Sequence, residues 1–268
     1  MAPRDTQSDE FVTSVARGLA VIQAFGPDHA RMSLSEVAKR TDLSRAAARR
    51  FLMTLCRLGF AKTDGKYFEL TPKILSLGFA YLSSLGFPEI AQPHLEAVSA
   101  KLGESSSTSV LDGYDVVYVA RSAAPHRIMS VSLNIGTRLP AHATSMGQVL
   151  LGDLQPKDLD AYLQRGNFRS YTPRTLTTPD DLRKRIEAGR RNGFVMCDQE
   201  LEIGLRSLAV PVRGVDGATV ASINVSVHAA QVSKRTMLGD YLAVLKKGAA
   251  DISQSLILNE QQSRGRKK

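Results

Sequence analysis

Three arginines stand among alanines in the segment SRAAARRFLMTLCRLGF, which begins at Ser44. Guanidinium groups can form paired hydrogen bonds with guanine edges and with phosphate oxygens. Arg45 and Arg49 are one helical turn apart, so a helix would present both to the same surface. We predict that these two arginines contact DNA bases and that Arg50 contacts phosphate.

The other predicted DNA contacts surround this segment. Two alanines between the arginines keep the helix slim enough for close approach and can touch thymine methyl groups. Nearby hydroxyl and ammonium groups are placed to bind phosphates, which position a protein without choosing the sequence. The complete set of predicted DNA contacts is Ser33, Ser44, Arg45, Ala46, Ala47, Arg49, Arg50, Lys62 and Lys66.

A helix-turn-helix is the element that would position the arginines. Ser33 with Glu36 makes a capping box at the start of a short helix, and Ser44 can cap the next. Asp42 occupies the turn between them, where glycine is more usual, because aspartate tolerates the left-handed conformation better than most residues. An earlier helix is predicted over 11–23. Its apolar spacing comes from Val12, Val15, Leu19 and Ile22.

After the third helix, the spacing of the apolar residues changes from a helical to a strand-like period. The inward positions of the helix are predicted to be Ala48, Phe51, Leu52, Leu55 and Leu58. Asp64-Gly65 then separates two strand-like runs and predicts a hairpin with a two-residue turn. Three helices followed by a hairpin make a winged helix-turn-helix, predicted over 11–72. Such a unit can also serve as a protein-interaction module, which stays an alternative.

Composition and charge limit the class of protein. The 268 residues are 43% hydrophobic and carry a formal charge of +9, which favours a polyanionic partner. The sequence lacks a long apolar run and a signal-like start, so we expect a cytoplasmic protein without a membrane partner. Cys56 and Cys197 have no metal-type spacing, and we predict neither a metal site nor a cofactor.

The remainder of the chain predicts a second domain. We expect a linking helix over 73–87, a mixed domain over 88–258 and a disordered basic tail over 259–268. Hairpins are predicted at Asp112-Gly113 and Asp216-Gly217, and a further strand over 126–133. Helices are predicted over 145–151, 156–164, 179–192 and 233–256. The basic block of 183–191 is expected to be a solvated helix face.

Four segments together resemble the IclR family of transcriptional regulators over nearly the whole chain. They are VARGLAVIQAF, LSEVAKRTDLSRAAARRFLMTLCRLGF, LPAHATSMGQVLL and DQELEIGLRSLAVPV. Within the family, RAAARRFL, AQPHLEAVS and DVVYVAR resemble the branch that controls β-ketoadipate-pathway genes for the breakdown of protocatechuate and 4-hydroxybenzoate.

The resemblance implies an α+β chain with an N-terminal winged helix-turn-helix, a linking helix used in dimerisation, and a C-terminal GAF-like α/β effector-binding domain with an antiparallel sheet. It also implies a homodimer or dimer of dimers that binds a palindromic operator in double-stranded DNA. The expected effector is a small aromatic or dicarboxylic acid, and the expected role is control of aromatic-compound catabolism.

The resemblance also implies where the effector binds. Free backbone N–H groups at Ser145, Met146 and Gly147, where a helix begins, can bind a carboxylate. Ser207 and Asn224 depart from residues common in the family, so the ligand cannot be copied from distant relatives. The full predicted effector set is Arg121, Ile128, Val131, Leu139, His142, Ser145, Met146, Cys197, Ser207, Asn224 and Ser226.

Two members of that set have alternatives. Arg121 ends the strand DVVYVAR and could neutralise an effector carboxylate, or it could be a surface arginine on an edge strand. His142 could bond a phenolic hydroxyl or be a satisfied loop histidine.

Two other chemistries are weighed against effector binding. The segment around Ser145 partly resembles the nucleophile elbow of an ester hydrolase, with His142 or His228 as base. The elbow needs a strand running directly into the serine, whereas Pro140 and AHA precede it, so we predict no enzyme activity. Asp198, Glu200 and Glu202 form an acidic cluster, for which turn-capping and interdomain roles are preferred over a metal site.

Overall fold

The computed structural model describes residues 11–78, 86–123 and 133–265. Its contacts divide the chain into two compact units, Met1–Ser84 and Leu85–Lys268. Each unit is built on its own antiparallel sheet.

The first unit is the predicted winged helix-turn-helix. It comprises α1 (Thr13–Gln23), β1 (Arg31–Ser33), α2 (Leu34–Thr41), α3 (Arg45–Leu58), β2 (Ala61–Thr63) and β3 (Tyr67–Leu70). The described strands form a sheet in the order β1-β3-β2, so β1 adds a strand that the sequence did not predict. The core contains Val21, Ala24, Met32, Val37, Leu52, Leu55, Ala61 and Phe68.

Local hydrogen bonds fix both ends of α2. The Ser33 N–H donates to Glu36 Oε2 at 2.7 Å, and the Ser33 hydroxyl accepts from the Glu36 N–H, which completes the predicted capping box. At the other end Asp42 lies at φ 52° and ψ 37°, in the left-handed region. Its N–H donates to the Ala38 carbonyl, which closes the tight turn into α3.

The apolar residues that were predicted to face inward in α1 and α3 are only partly buried. In α1 the buried position is Val21, whereas Val15 and Leu19 are half exposed or more. In α3 Leu52 and Leu55 are buried as predicted, but Leu58 is exposed because it lies in the last turn before the chain reverses at Gly59.

The wing turn closes one residue later than predicted: the Asp64 N–H donates to the Tyr67 carbonyl at 3.3 Å, which leaves Gly65 and Lys66 as the two-residue loop. Thr63 pairs with Phe68, so four residues lie between the last paired positions. The Asp64 carboxylate accepts from the N–H groups of Lys66 and Tyr67 at 2.9 and 2.8 Å, and these contacts stabilise the turn.

Residues 75–78 are helical, and most of the rest of the predicted linking helix lies outside the described residues. The second unit then begins with α4 (Phe87–Leu102). The described elements that follow are β4 (Ser105–Asp112), β5 (Asp115–Ser122), β6 (Arg138–Pro140), α5 (Ser145–Leu151), α6 (Pro156–Arg165), α7 (Pro179–Asn192), β7 (Val195–Asp198), β8 (Leu205–Arg213), β9 (Thr219–His228) and α8 (Leu242–Gly265).

The described strands of this unit form an antiparallel sheet in the order β6-β5-β4-β9-β8-β7. Both predicted hairpins are confirmed, as β4-β5 and β8-β9. The short strands β6 and β7 were not predicted. Most of the strand predicted over 126–133 lies outside the described residues, and Leu133 itself is not in a strand.

Helices cover both faces of this sheet. On one face the Ser106 hydroxyl donates to the Leu95 carbonyl of α4, and α8 packs beside α4. On the other face Ser109 donates to the sulfur of Met146 in α5. A large apolar core lies on this second face, and it includes Val116, Tyr118, Met146, Leu151, Tyr162, Leu182 and Ile186.

The C-terminal helix corrects one predicted boundary. A short turn at Lys234–Thr236 and a π-helical turn at Met237–Tyr241 lead into α8, which continues to Gly265. It therefore enters the segment that was predicted as a disordered tail. In the predicted part of the helix, His94 of α4 lies 3.1 Å from Ser255, and in the extension Glu260 is still half-buried.

Candidate functional site

The recognition helix α3 separates its apolar and basic residues. Ser44 caps it by accepting from the Ala47 N–H at 3.2 Å. Ala48 is fully buried, whereas Arg45, Arg49 and Arg50 are exposed.

No acidic side chain among the described residues forms an ion pair with the three arginines. Arg45 and Arg49 share one face, and Arg50 is turned about 100° from Arg49 because of the helical repeat. The helix therefore presents three cationic groups to an anionic surface.

The two predicted serine contacts have structural partners. The Ser33 hydroxyl donates to Glu36 Oε2 at 2.7 Å, and this bond lowers the pKa of the Glu36 carboxyl. The Ser44 hydroxyl oxygen is engaged by the Ala47 N–H. Both hydroxyls therefore cap helices, and phosphate contact by them stays a prediction.

A charged cluster covers the wing. Glu69 accepts from Lys62 at 3.0 Å and from Arg31 at 3.2 Å. Arg31 also contacts Asp64, and the guanidinium lies over the ring of Tyr67. Backbone N–H groups, with Arg31, lower the pKa of Asp64 to about 2. Lys62 is thus partly neutralised.

Lys66 differs from Lys62 because its ammonium lies over the face of Tyr67, 5.1 Å from the ring centre. Arg31 was not predicted from the sequence, since the strand β1 that places it beside the wing was not predicted either.

The second unit holds a buried polar pocket on the α5 face of the sheet. Its lining consists of Tyr118, Leu139, Ala143, Thr144, Ser145, Cys197, Glu200, Leu201, Leu205, Ser207, Asn224 and Ser226. The cavity has a volume of about 20 Å³, which is enough for about one water molecule. A drug-sized ligand needs several hundred Å³, so surrounding groups must move before an aromatic acid can enter.

Strand register explains why distant residues meet in this pocket. Ser207 of β8 pairs with Cys197 of β7 and with Ser226 of β9. Asn224 pairs with Ser107 of β4. Directly paired residues point to the same face of a sheet, so these side chains form one polar floor.

Six predicted effector residues line the pocket, and others do not. The six are Leu139, Ser145, Cys197, Ser207, Asn224 and Ser226. Ile128 and Val131 lie outside the described residues. Arg121, His142 and Met146 are not in the lining.

Arg121 lies next to the polar floor. It pairs with Ser107, and its guanidinium donates to the Ser107 hydroxyl at 3.1 Å. Because Ser107 also pairs with Asn224, the Arg121 guanidinium lies on the pocket face of the sheet. The strand β6 pairs with β5 at Asp115–Val117, four residues before Arg121. The pairing does not extend to Arg121, so the surface position on an edge strand stays an alternative.

His142 is a packed histidine. Its Nε2 lies 3.0 Å from the Arg169 carbonyl, and its ring stacks beside Phe168 and Tyr171. Burial lowers the pKa of this imidazole. Its backbone carbonyl accepts from Gln148 Nε2 at 2.8 Å. The arrangement fits the satisfied loop histidine.

The start of α5 differs in part from the predicted carboxylate site. The Thr144 hydroxyl already accepts from the Gly147 N–H at 3.2 Å, so one of the three expected donors is engaged. The Met146 side chain lies in the core, where its sulfur accepts from Ser109. The Ser145 hydroxyl is buried without a hydrogen-bond partner among the described residues and lines the pocket.

This geometry also argues against the hydrolase elbow. A 3-10 turn at Ala141–Ala143 separates β6 from Ser145. The Nε2 of His142 is held by Arg169, and Nδ1 of His228 accepts from Ala230.

The sequence prediction missed six lining residues, and Glu200 is the charged one among them. It is buried, with 4% of its surface exposed, and it lies in the pocket wall. Asp198, its neighbour in the acidic cluster, instead accepts from Arg174, Arg206 and Lys234. No group of metal-ligating side chains was found in the described part of the chain. Burial and the charge of Glu200 raise the pKa of the Cys197 thiol.

A winged helix-turn-helix joined to a domain with a buried polar pocket defines a class, the DNA-binding regulators with a sensor domain. The chain belongs to the IclR family. Residues 14–65 match the IclR helix-turn-helix domain, and residues 79–254 match the bacterial transcriptional regulator IclR C-terminal domain. The predicted family is thereby confirmed. Within the described residues, no helix is long and apolar enough to cross a membrane.

Similar proteins also confirm the predicted branch. The Pca regulon regulatory protein of Pseudomonas putida is 42% identical over 94% of this chain and 86% of its own length. A crystal structure of a transcriptional regulator from Rhodococcus sp. RHA1 is 52% identical, with a TM-score of 0.82, covering 92% of this chain and 98% of that one.

A third similar protein carries a ligand. A double mutant of the PobR inducer-binding domain from Acinetobacter, in complex with 3-hydroxybenzoic acid, is 31% identical with a TM-score of 0.58. It covers 62% of this chain and 97% of its own.

Proposed function

We propose that the chain binds a palindromic operator as a homodimer or dimer of dimers and controls genes of aromatic-compound breakdown. The exposed arginine face of α3 is the observation that carries the DNA-binding part. In support, Arg45 and Arg49 lie in the first two turns of this capped helix, the part of a recognition helix that contacts base edges in helix-turn-helix proteins. Arg50, Lys62 and Lys66 contact phosphates in this proposal.

The pocket of the second unit binds the effector, a small aromatic or dicarboxylic acid. Support comes from its polar floor, from the adjacent guanidinium of Arg121, and from the aromatic acid bound by the PobR domain. Arg121 would hold a carboxylate through charge-assisted hydrogen bonds.

Entry of the acid would change the conformation of the second unit, because the cavity of about 20 Å³ must enlarge to hold a benzene ring. An effector regulates only if it has unequal affinity for two states of the protein, and an enlarged pocket supplies that difference.

The experiment has two stages. Duplexes bound by the full chain are first selected from a randomised pool, and the selected operator is then titrated by fluorescence anisotropy. The titration is repeated with saturating 4-hydroxybenzoate, protocatechuate or β-ketoadipate. We expect a symmetric operator and a change in its affinity or bending with one of these acids.

Two results would contradict the proposal. A selection that enriches no sequence would point to an architectural or protein-interacting module instead. Unchanged operator affinity, bending and promoter output with an acid that demonstrably binds the second unit would remove the regulatory role of the pocket.

A further inference from the structure

Glu200 gives the pocket a charged wall. Among the described residues that line the cavity, Glu200 is the one with a charged side chain. The others are apolar or carry a hydroxyl, a thiol or an amide. The side chain of Glu200 is almost fully buried, so this carboxylate meets whatever enters the cavity without intervening bulk solvent.

Two side chains hold the Glu200 carboxylate from behind. Oε1 accepts from Arg185 at 2.9 Å, and Oε2 accepts from Gln148 Nε2 at 3.2 Å. The Arg185 contact corrects the expectation of a wholly solvated basic face on α7. A carboxylate has about four acceptor positions, so two donors leave acceptor capacity for a ligand.

The backbone of Glu200 is fixed as well. Its carbonyl accepts from Thr175 Oγ1, at 2.6 Å. The preceding residue, Gln199, lies in the left-handed region at φ 64°, and its side chain accepts from the Gly204 N–H at 3.0 Å. The loop therefore presents the carboxylate in a defined place before any ligand arrives.

A fixed, buried carboxylate distinguishes between ligand groups. A ligand hydroxyl can donate a charge-assisted hydrogen bond to it. A second, ionised carboxylate at the same place has no proton to donate, and its oxygens would face those of Glu200, whose charge Arg185 balances from behind.

Arg121, at the other end of the polar floor, favours a ligand carboxylate because its guanidinium is positively charged. Its guanidinium lies over Ser107 on β4, whereas Glu200 follows the edge strand β7. Strands β9 and β8 lie between β4 and β7 in the sheet. Three strand spacings, about 14 Å, separate β4 from β7, so one aromatic ring meets both groups only where the long side chains of Arg121 and Glu200 reach inward over the floor.

We propose that Glu200 is a specificity-determining residue, which accepts a hydrogen bond from an effector hydroxyl and excludes a second carboxylate. This inference rests on the proposed effector function. It assigns the effector to acids with one carboxylate and a hydroxyl at the opposite end of the ring, and it removes the dicarboxylic alternative.

Three acids that differ at one ring position test the inference. Isothermal titration of the full-length chain would use 4-hydroxybenzoate, benzoate and terephthalate. We expect the wild type to bind 4-hydroxybenzoate about tenfold more tightly than benzoate or better, as a hydrogen bond to a charged group allows. Terephthalate should bind most weakly.

The variant Glu200→Gln removes the charge and keeps the shape. The preference for 4-hydroxybenzoate over terephthalate should fall about tenfold or more, a change in ratio that a merely structural role would not produce. Glu187→Gln is the matched control, because it makes the same change at an exposed position of α7 and should preserve the wild-type ratio.

The outcomes separate this inference from the proposed function. Binding with an unchanged ratio in Glu200→Gln overturns the role of Glu200 alone. If that variant does not fold, the wild-type series still decides, since terephthalate binding as tightly as 4-hydroxybenzoate overturns the assignment. Failure of all three acids to bind the wild type overturns this inference. The proposed effector function fails only if protocatechuate and β-ketoadipate do not bind either.

Discussion

The backbone N–H of Asp42 donates to the carbonyl of Ala38, and this bond turns the chain from α2 into the recognition helix. Asp42 adopts a left-handed conformation at φ 52°, where a side chain is strained and glycine is not. The orientation of the arginines therefore depends on a position that the aspartate occupies at some energetic cost.

Asp42→Gly should stabilise the first unit by about 0.5–1 kcal/mol, because relief of strain exceeds the added freedom of the unfolded chain. Urea unfolding of the full chain, followed by hydrogen exchange in α2 and α3, measures the change. Asp28→Gly is the control, since Asp28 is exposed and its φ is not positive. A lower free energy of unfolding for Asp42→Gly than for the wild type would contradict the strain argument.

The arginines of α3 should separate into two roles. Arg49→Ala should lose about 1–3 kcal/mol on the specific operator and much less on random DNA. Arg50→Ala should weaken both similarly and reduce the salt slope by about 1. Anisotropy titrations at several salt concentrations measure both effects.

Arg57→Ala serves as control, because Arg57 is exposed in the last turn of the same helix. Equal losses on operator and random DNA for Arg49→Ala would remove its base-reading role.

The local signals in the sequence explain what could be predicted. Ser33, Ser44 and the Asp-Gly turns act within a few residues, so helix starts and hairpins were predicted correctly. The short strands β1, β6 and β7 depend on partners far along the chain, and a three- or four-residue pattern does not reveal them.

The effector pocket also contains both residues that the sequence predicted and residues that it missed. Floor residues such as Ser207 and Asn224 followed from family resemblance. Glu200 was missed because its position in the pocket depends on Arg185 and Gln148, which are remote in sequence. In the sequence, the acidic cluster indicates turn-capping only. The burial of Glu200 and its contacts with Arg185 and Gln148 are visible only in the structure.

Glu69 should weaken DNA binding by the wing, since it neutralises Lys62 and Arg31. Glu69→Gln should raise affinity for random DNA and steepen the dependence of log K on log salt by about 1, because one more cation can meet a phosphate. Glu187→Gln gives the same change in net charge in the second unit. An identical increase in both variants would mean that total charge, and not the wing, sets the affinity.

Gly147 allows α5 to approach the turn before it. A Cβ at this position would lie 2.2 Å from the carbonyl oxygen of Ala141, too close for any real contact. Gly147→Ala should therefore lower the free energy of unfolding by about 1–3 kcal/mol or more, as overpacking does. It should also weaken effector binding, because Thr144 and Ser145 line the pocket and move with the helix.

Thermal unfolding and titration with 4-hydroxybenzoate measure the two effects of Gly147→Ala. Gly239→Ala is the control, since no atom lies within 4 Å of a Cβ there. Equal stability of the two variants would show that the approach of α5 to Ala141 can relax without cost.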